Sequence, residues 1–111
     1  MLDRNLYSGL IRLHILHHAA EGPVFGQAMI DELGHHGYRL SAGTLYPILR
    51  RFDAEGCVRS RWEKEGVARK EQRPPRRYYE LTAGGRQLAA EARAKAVVLA
   101  HAGKRLLESE G

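Results

Sequence analysis

From Thr82 onward the chain reads as one unbroken helix, and that length constrains everything before it. Leu88, Ala92, Ala96, Leu99, Ala102 and Leu106 recur at steps of four, four, three, three and four, the spacing of a single apolar stripe. Capped by Thr82 and ending near Glu108, such a helix spans roughly 40 Å at 1.5 Å per residue. Residues 1–81 make too small a body to cover it. Part of the stripe is therefore expected to pack on another chain. A second copy is the economical partner, since two-fold dimers dominate soluble assemblies. Leu88, Ala92, Leu99 and Leu106, with Leu6 and Leu10 of the first helix, are the candidate dimerisation residues. A helix folded back on its own domain is the alternative.

The preceding residues divide by periodicity. Leu6, Leu10, Leu13, Leu16 and Ala20 predict a helix over 4–20, and Ile11 and Ile15 widen its stripe enough for two neighbours. Glu21-Gly22-Pro23 ends it. A second helix is predicted from about Phe25 to His35, with Ala28, Met29 and Leu33 inward. Ser41 is placed to cap a third, whose stripe is Leu45, Ile48, Leu49 and Phe52 and whose stop is Gly56. Pro47 lacks the N–H that would reach the Gly43 carbonyl, so an irregular first turn is expected. From Cys57 to Lys64 the period becomes two, with Val58, Ser60 and Trp62 on one face of a strand. Residues 65–75 read as a mobile basic loop ending in Pro74-Pro75. Arg76 to Leu81 reads as a second strand that pairs back in a hairpin.

The formal net charge is +5, and its distribution is uneven. Between Arg39 and Tyr79 lie eleven Lys/Arg against five Asp/Glu, whereas the rest of the chain holds seven bases against eight acids. Concentrated positive charge points to a polyanionic partner; a solvated basic loop is the plain alternative. Helix, helix, turn, helix, basic hairpin, long helix is an order that reads DNA. The third helix lies in the major groove, and the wing follows the backbone or minor groove. The fold class expected is mainly α with a small β-hairpin. Residues 1–81 form a winged helix-turn-helix domain, and residues 82–111 form a C-terminal dimerisation helix of the same compact unit.

Other classes find little support. No nucleophile elbow, phosphate loop or metalloprotease helix motif is present, so no enzyme is expected. No apolar run approaches the roughly 20 residues a membrane span needs. The start, Met1-Leu2-Asp3-Arg4, lacks the order of a secretion signal. The single cysteine, Cys57, excludes an internal disulfide and fits a reducing, cytoplasmic setting. It opens the wing strand at an apolar position, where burial rather than redox sensing is the default. His14, His17 and His18 stand at i, i+3 and i+4 and could offer two imidazoles to one metal, and His35 and His36 add to that possibility. No carboxylate or cysteine joins them at a metal spacing, so neither a metal nor another cofactor is expected.

Three stretches carry a family resemblance. Leu40-Ser41-Ala42-Gly43-Thr44-Leu45-Tyr46-Pro47 resembles the "GTLYP" recognition helix of PadR-type transcriptional regulators. Arg77-Tyr78-Tyr79-Glu80-Leu81-Thr82-Ala83-Gly84-Gly85 resembles that family's "YYxLT..G" signature, and Pro23-Val24-Phe25-Gly26-Gln27 its "P-x-YG" entry to the second helix. The resemblance covers nearly the whole chain and, with one C-terminal helix, points to the short subfamily. It implies a homodimeric regulator that binds a palindromic double-stranded DNA operator, acts as a repressor and responds to a small-molecule effector. Phe25 stands where the family has tyrosine, removing a hydroxyl that could meet phosphate. No aromatic residue follows Tyr79, so the tryptophan-lined drug pore of some short members is not expected, and a smaller or different effector stays open.

The DNA-binding candidates are Ser41, Gly43, Thr44, Tyr46 and Arg50 on the third helix, with Arg69, Lys70, Arg73, Arg76 and Arg77 in the wing. Short polar groups would reach base edges, and the cations would neutralise phosphates. Arg50 and Arg51 are equally read as solvated helix charges. Two alternatives stay open: a small-molecule- or partner-binding dimer that uses this scaffold without DNA, and a metal or redox sensor.

Overall fold

A computed structural model describes the backbone of residues 4–110 and the side chains of residues 7–98 and 100–102. Helix α1 (Arg4–Ala20) leads to a two-residue strand β1 (Val24–Phe25) and helix α2 (Gly26–His35). Helix α3 (Ala42–Ala54) and strand β2 (Val58–Trp62) follow. A short helix α4 (Val67–Lys70), strand β3 (Arg77–Leu81) and the long helix α5 (Ala83–Glu110) complete the chain. Its greatest dimension is 60 Å.

The core is where the helical stripes meet the base of the hairpin. Ile15, Met29, Leu33, Leu45, Leu49 and Val58 are fully enclosed, and Phe52, Tyr79 and Leu81 close the cluster. On α1 the buried face is Ile11, Ile15, Leu16 and Ala19. Leu10 and Leu13 are only half-buried. The two apolar edges of this wide stripe therefore serve different surroundings: the isoleucines join the central core cluster, while Leu13 lines a cavity against α5.

The hairpin gains a strand that periodicity did not reveal. Phe25, expected to open the second helix, belongs to β1 and pairs with Tyr78, as Val24 pairs with Tyr79. The sheet order is β1-β3-β2, all antiparallel, with Val58 opposite Leu81 and Trp62 opposite Arg77. Two residues show no alternation, so only tertiary pairing reveals such a strand.

Two local expectations also change. Helix α3 runs through Pro47 without interruption. The ring lies on the exposed side, where water can reach the Gly43 carbonyl it leaves free. Ser41 occupies the N-cap in extended conformation, but its side chain caps no backbone N–H. Its Oγ lies 3.3 Å from Thr44 Oγ1 instead, and the Ser41 carbonyl accepts from the N–H groups of Thr44 and Leu45.

Thr82 does cap α5. Its hydroxyl accepts from Gly85 N–H (3.1 Å) and donates to the Gly56 carbonyl (2.5 Å). The same residue thus starts the helix and ties it to the α3–β2 turn.

Residues 65–75 do not form a loose loop. One turn of helix, α4, buries Ala68, and Arg73 turns inward. Its guanidinium grips Glu63 through two bonds, Nη1–Oε1 at 2.5 Å and Nη2–Oε2 at 2.8 Å, and its Nε donates to Glu71 at 2.6 Å. Glu63 Oε1 also accepts from Arg76 N–H at 2.6 Å, and Glu63 N–H donates to the Arg76 carbonyl. The paired fork and the backbone bonds close the open end of the hairpin.

Candidate nucleic-acid interface

The middle of α3 and the wing lie on either side of one groove. A concavity of about 510 Å³ is lined by Phe25, Gly26 and Gln27 at the start of α2, Tyr46 and Arg50 on α3, and Trp62, Arg76 and Arg77 on the wing, among others. The burial of Leu45, Leu49 and Phe52 leaves Ser41, Gly43, Thr44 and Arg50 on the outer face of α3. The helix therefore presents short polar groups and two cations, Arg50 and Arg51, outward.

Tyr46 is half-buried, and its hydroxyl lies against the Gly26 backbone, leaving no space for a Cβ there. That contact packs the start of α3 on the start of α2. Arg51 is held by Glu55 across one helical turn at 3.0 Å, while Arg50 has no ion-pair partner among the described residues.

The wing cations fall into three kinds. Arg69 and Lys70 are exposed on α4 and carry no salt bridge among the described residues. Arg76 and Arg77 are laid over aromatic rings. Arg76 is 4.0 Å from the centre of the Phe25 ring; Arg77 is 5.7 Å from that of Trp62 and bonds Ser60 Oγ at 2.7 Å. Stacking of this kind orients a guanidinium while leaving its edge free to donate. Arg73 is different. It was expected among the phosphate contacts, but its side chain is only 18% exposed and donates to two carboxylates and the Pro74 carbonyl. The Arg73 hydrogen bonds hold the Glu63 carboxyl down to a pKa of about 2.

Sequence reasoning missed Trp62 and Gln27. Alternation put Trp62 on the face of buried Val58, yet it is 61% exposed because the strand has by then left the core. A tryptophan between basic residues on a strand that outruns its domain was the available signal. Sequence reasoning named His36 beside the helix histidines but could not place it in space. The exposed His36 at the C-cap of α2 meets His14 and His18 of α1, with ring centres 5.0 and 5.3 Å away. Burial, and then the neighbouring charges of His36, His18 and His17, lower the pKa of His14. The ring of His17 meets that of His18 edge-on, with centres 5.5 Å apart, while its Nε2 lies 3.5 Å from Glu21. Cys57 is buried, as its apolar position implied.

Among the dimerisation candidates, Leu10 and Ala92 are half-buried and Leu88 is exposed. The side chains of Leu6, Leu99 and Leu106 lie outside the described residues. Val97 and Val98 on α5 are 52% and 67% exposed. No described helix is long and apolar enough to cross a membrane.

Comparison with known proteins agrees with this geometry. The chain is 43% identical over 91 residues to the transcriptional regulator Rv3488 of Mycobacterium tuberculosis (strain ATCC 25618 / H37Rv), covering 81% of this chain and 78% of that one. It is similar to a PadR family transcriptional regulator from Eggerthella lenta DSM 2243, with 33% identity and a TM-score of 0.74 over 94% of this chain and 87% of the other. A PadR-like regulator from Bacillus cereus strain ATCC 14579 shares the fold at a TM-score of 0.80 and 23% identity, over 93% and 96% of the two chains. The model of the transcriptional regulator PadR-like family matches residues 15–91, which include α2, α3, the whole wing and the start of α5. By motif, fold and relatives, the chain belongs to the PadR-like family of transcriptional regulators, which bind DNA and are not enzymes.

Proposed function

We propose that the protein is a homodimeric, sequence-specific repressor that reads a palindromic operator and releases it in response to a small molecule. The observation that carries this reading is the groove between α3 and the wing. Tyr46 and Arg50 line its α3 side, with Ser41, Gly43 and Thr44 exposed at the start of the same helix; on its wing side Arg76 and Arg77 are oriented by aromatic rings. Thr44 is assigned to base edges, Arg50, Arg69, Lys70, Arg76 and Arg77 to phosphates, and Tyr46 to positioning α3. Arg73 is assigned to the wing's own structure. Residues 1–81 do the reading and residues 82–111 the pairing. The cavity of about 230 Å³ between α1 and α5, lined by Leu13, His14, His17, Ala89, Arg93 and Ala96, supports an effector site.

A duplex titration at several salt concentrations tests the reading. Removing Arg69 and Lys70 together should weaken cognate and scrambled duplexes alike and flatten the salt slope by up to about 0.9 per phosphate contact. Thr44→Ala should cost about 1–3 kcal/mol on the preferred site and little on scrambled DNA. An unchanged slope in the first variant and an equal loss on both duplexes in the second would overturn the assignment.

Pairing is tested separately. Val98→Glu puts a charge into the exposed apolar face of α5 and should convert a sedimenting dimer into monomer, because an unpaired charge in an apolar interface is costly. A wild-type chain that sediments as a monomer at micromolar concentration would remove the dimer from the proposal.

A further inference from the structure

We propose that His14, His18 and His36 form a binding site for a zinc-class transition-metal ion, joining α1 to the turn between α2 and α3. The inference goes beyond DNA reading and does not depend on it. One ring nitrogen from each of the three residues can be chosen so that all lie within 4.8 Å of one another. Two come from successive turns of α1 and the third from the residue that ends α2. Zinc–nitrogen bonds of about 2.0–2.1 Å at tetrahedral angles bring such nitrogens to about 3.3 Å. The rings therefore need to draw in by about 1.5 Å at most, which small side-chain rotations supply.

A second observation singles out His18. It is 8% exposed, and its Nε2 is buried without a hydrogen-bond partner among the described residues. A buried ring nitrogen with nothing to bind is costly unless something fills its coordination. Its other nitrogen, Nδ1, lies 3.9 Å from Glu21 Oε2. That is too long for a hydrogen bond. A small rotation of the exposed Glu21 side chain would bring its carboxylate onto this far nitrogen, the partner that orients a metal-bound imidazole and makes it more basic. Exposed His36 leaves a path for an ion from solvent.

The donor chemistry selects the ion. Three imidazoles without thiolate suit Zn²⁺, Cu²⁺ or Ni²⁺, whereas Mg²⁺ and Ca²⁺ require oxygen ligands. Three protein ligands leave a fourth position for water or another small donor. A bound ion would fix the turn that leads through Tyr38 and Leu40 into α3, and with it the angle of α3 to α1.

Metal-stripped protein, titrated with Zn²⁺ against a chromogenic chelator at neutral pH, should bind one equivalent per chain. Co²⁺ in place of Zn²⁺ should give the visible absorption of a four-coordinate site. His36→Ala should lower the Zn²⁺ affinity at least about tenfold with an unchanged far-ultraviolet spectrum, since His36 is exposed. His14→Gln, checked for folding the same way, should do likewise. His17→Ala and His35→Ala should bind as the wild type does. Lack of stoichiometric uptake, wild-type affinity in His36→Ala, or an equal loss in His17→Ala or His35→Ala would overturn the site.

Discussion

Gly85→Ala should destabilise the protein by about 3 kcal/mol, near the upper end of what overpacking costs, while Gly84→Ala should be neutral or slightly stabilising. The two glycines are adjacent in the first turn of α5, yet their surroundings differ. A Cβ at Gly85 would run into the carbonyl oxygen of Cys57, which is backbone and already accepts from Thr82 N–H at 3.0 Å. It cannot step aside without breaking the seam between α5 and the α3–β2 turn. A Cβ at Gly84 would lie 3.6 Å from the Gly56 carbonyl, an ordinary contact, and alanine is favoured over glycine inside a helix by roughly 0.5–1 kcal/mol. In thermal unfolding, Gly85→Ala should lower the midpoint by about 12 °C or more for a domain of this size. Equal behaviour of the two variants would show that the close approach of α5 to Cys57 is not rigid.

Glu63→Gln should weaken duplex binding, although it removes a negative charge from a basic wing. Simple electrostatics predicts the reverse, since losing an anion near phosphate raises attraction. The difference lies in what Glu63 does. Its carboxylate receives the Arg73 fork and the Arg76 N–H, and an amide cannot accept all three. Reordering even one or two wing residues on binding costs about 1–2 kcal/mol, or about tenfold in affinity. Arg73→Ala should show a similar loss without the selective flattening of the salt slope expected for Arg69 and Lys70. Acid should reproduce the effect. With the Glu63 pKa held at about 2 against an ordinary 4.5, its ionised form stabilises the folded wing fully above about pH 4.5. That contribution fades as pH falls toward about 2. Protection of the wing amides, taken relative to their intrinsic exchange rates at each pH, should fall over that interval in the wild type and be low throughout in Glu63→Gln. Tighter DNA binding by Glu63→Gln would show that the wing is ordered by other contacts.

Helices with one clear stripe were legible from sequence, because burial of Leu45, Leu49 and Phe52 or of Met29 and Leu33 imposes a period that no other element shares. The basic groove was legible as composition, and its α3 residues as motif. What escaped depended on contacts between distant segments. Phe25 pairs with Tyr78 across more than fifty positions. Arg73 looks like any other wing cation until Glu63 is found ten residues earlier. His36 joins His14 and His18 only because the end of α2 folds against α1. Trp62 was misplaced for the opposite reason: alternation continues along β2 after the core beneath it has stopped.

The seam at Thr82 and Gly85 also acts as a pivot for a lever. Helix α5 leaves the body from a turn held by the Thr82 hydroxyl on Gly56 and by the tight passage of Gly85 past Cys57. It runs on for 28 residues, about 42 Å at the helical rise. A tilt of only about 5° at the pivot displaces the far end by about 4 Å over that length, comparable to the 3.4 Å rise of one base pair. In the proposed dimer the same tilt would shift the two recognition helices relative to each other, and half-site spacing is a geometric demand. In that proposed dimer the missing side chain at position 85 would set the calibration of the whole assembly, because a joint that cannot rotate transmits small changes at α1 and α5 as whole-base-pair errors on DNA.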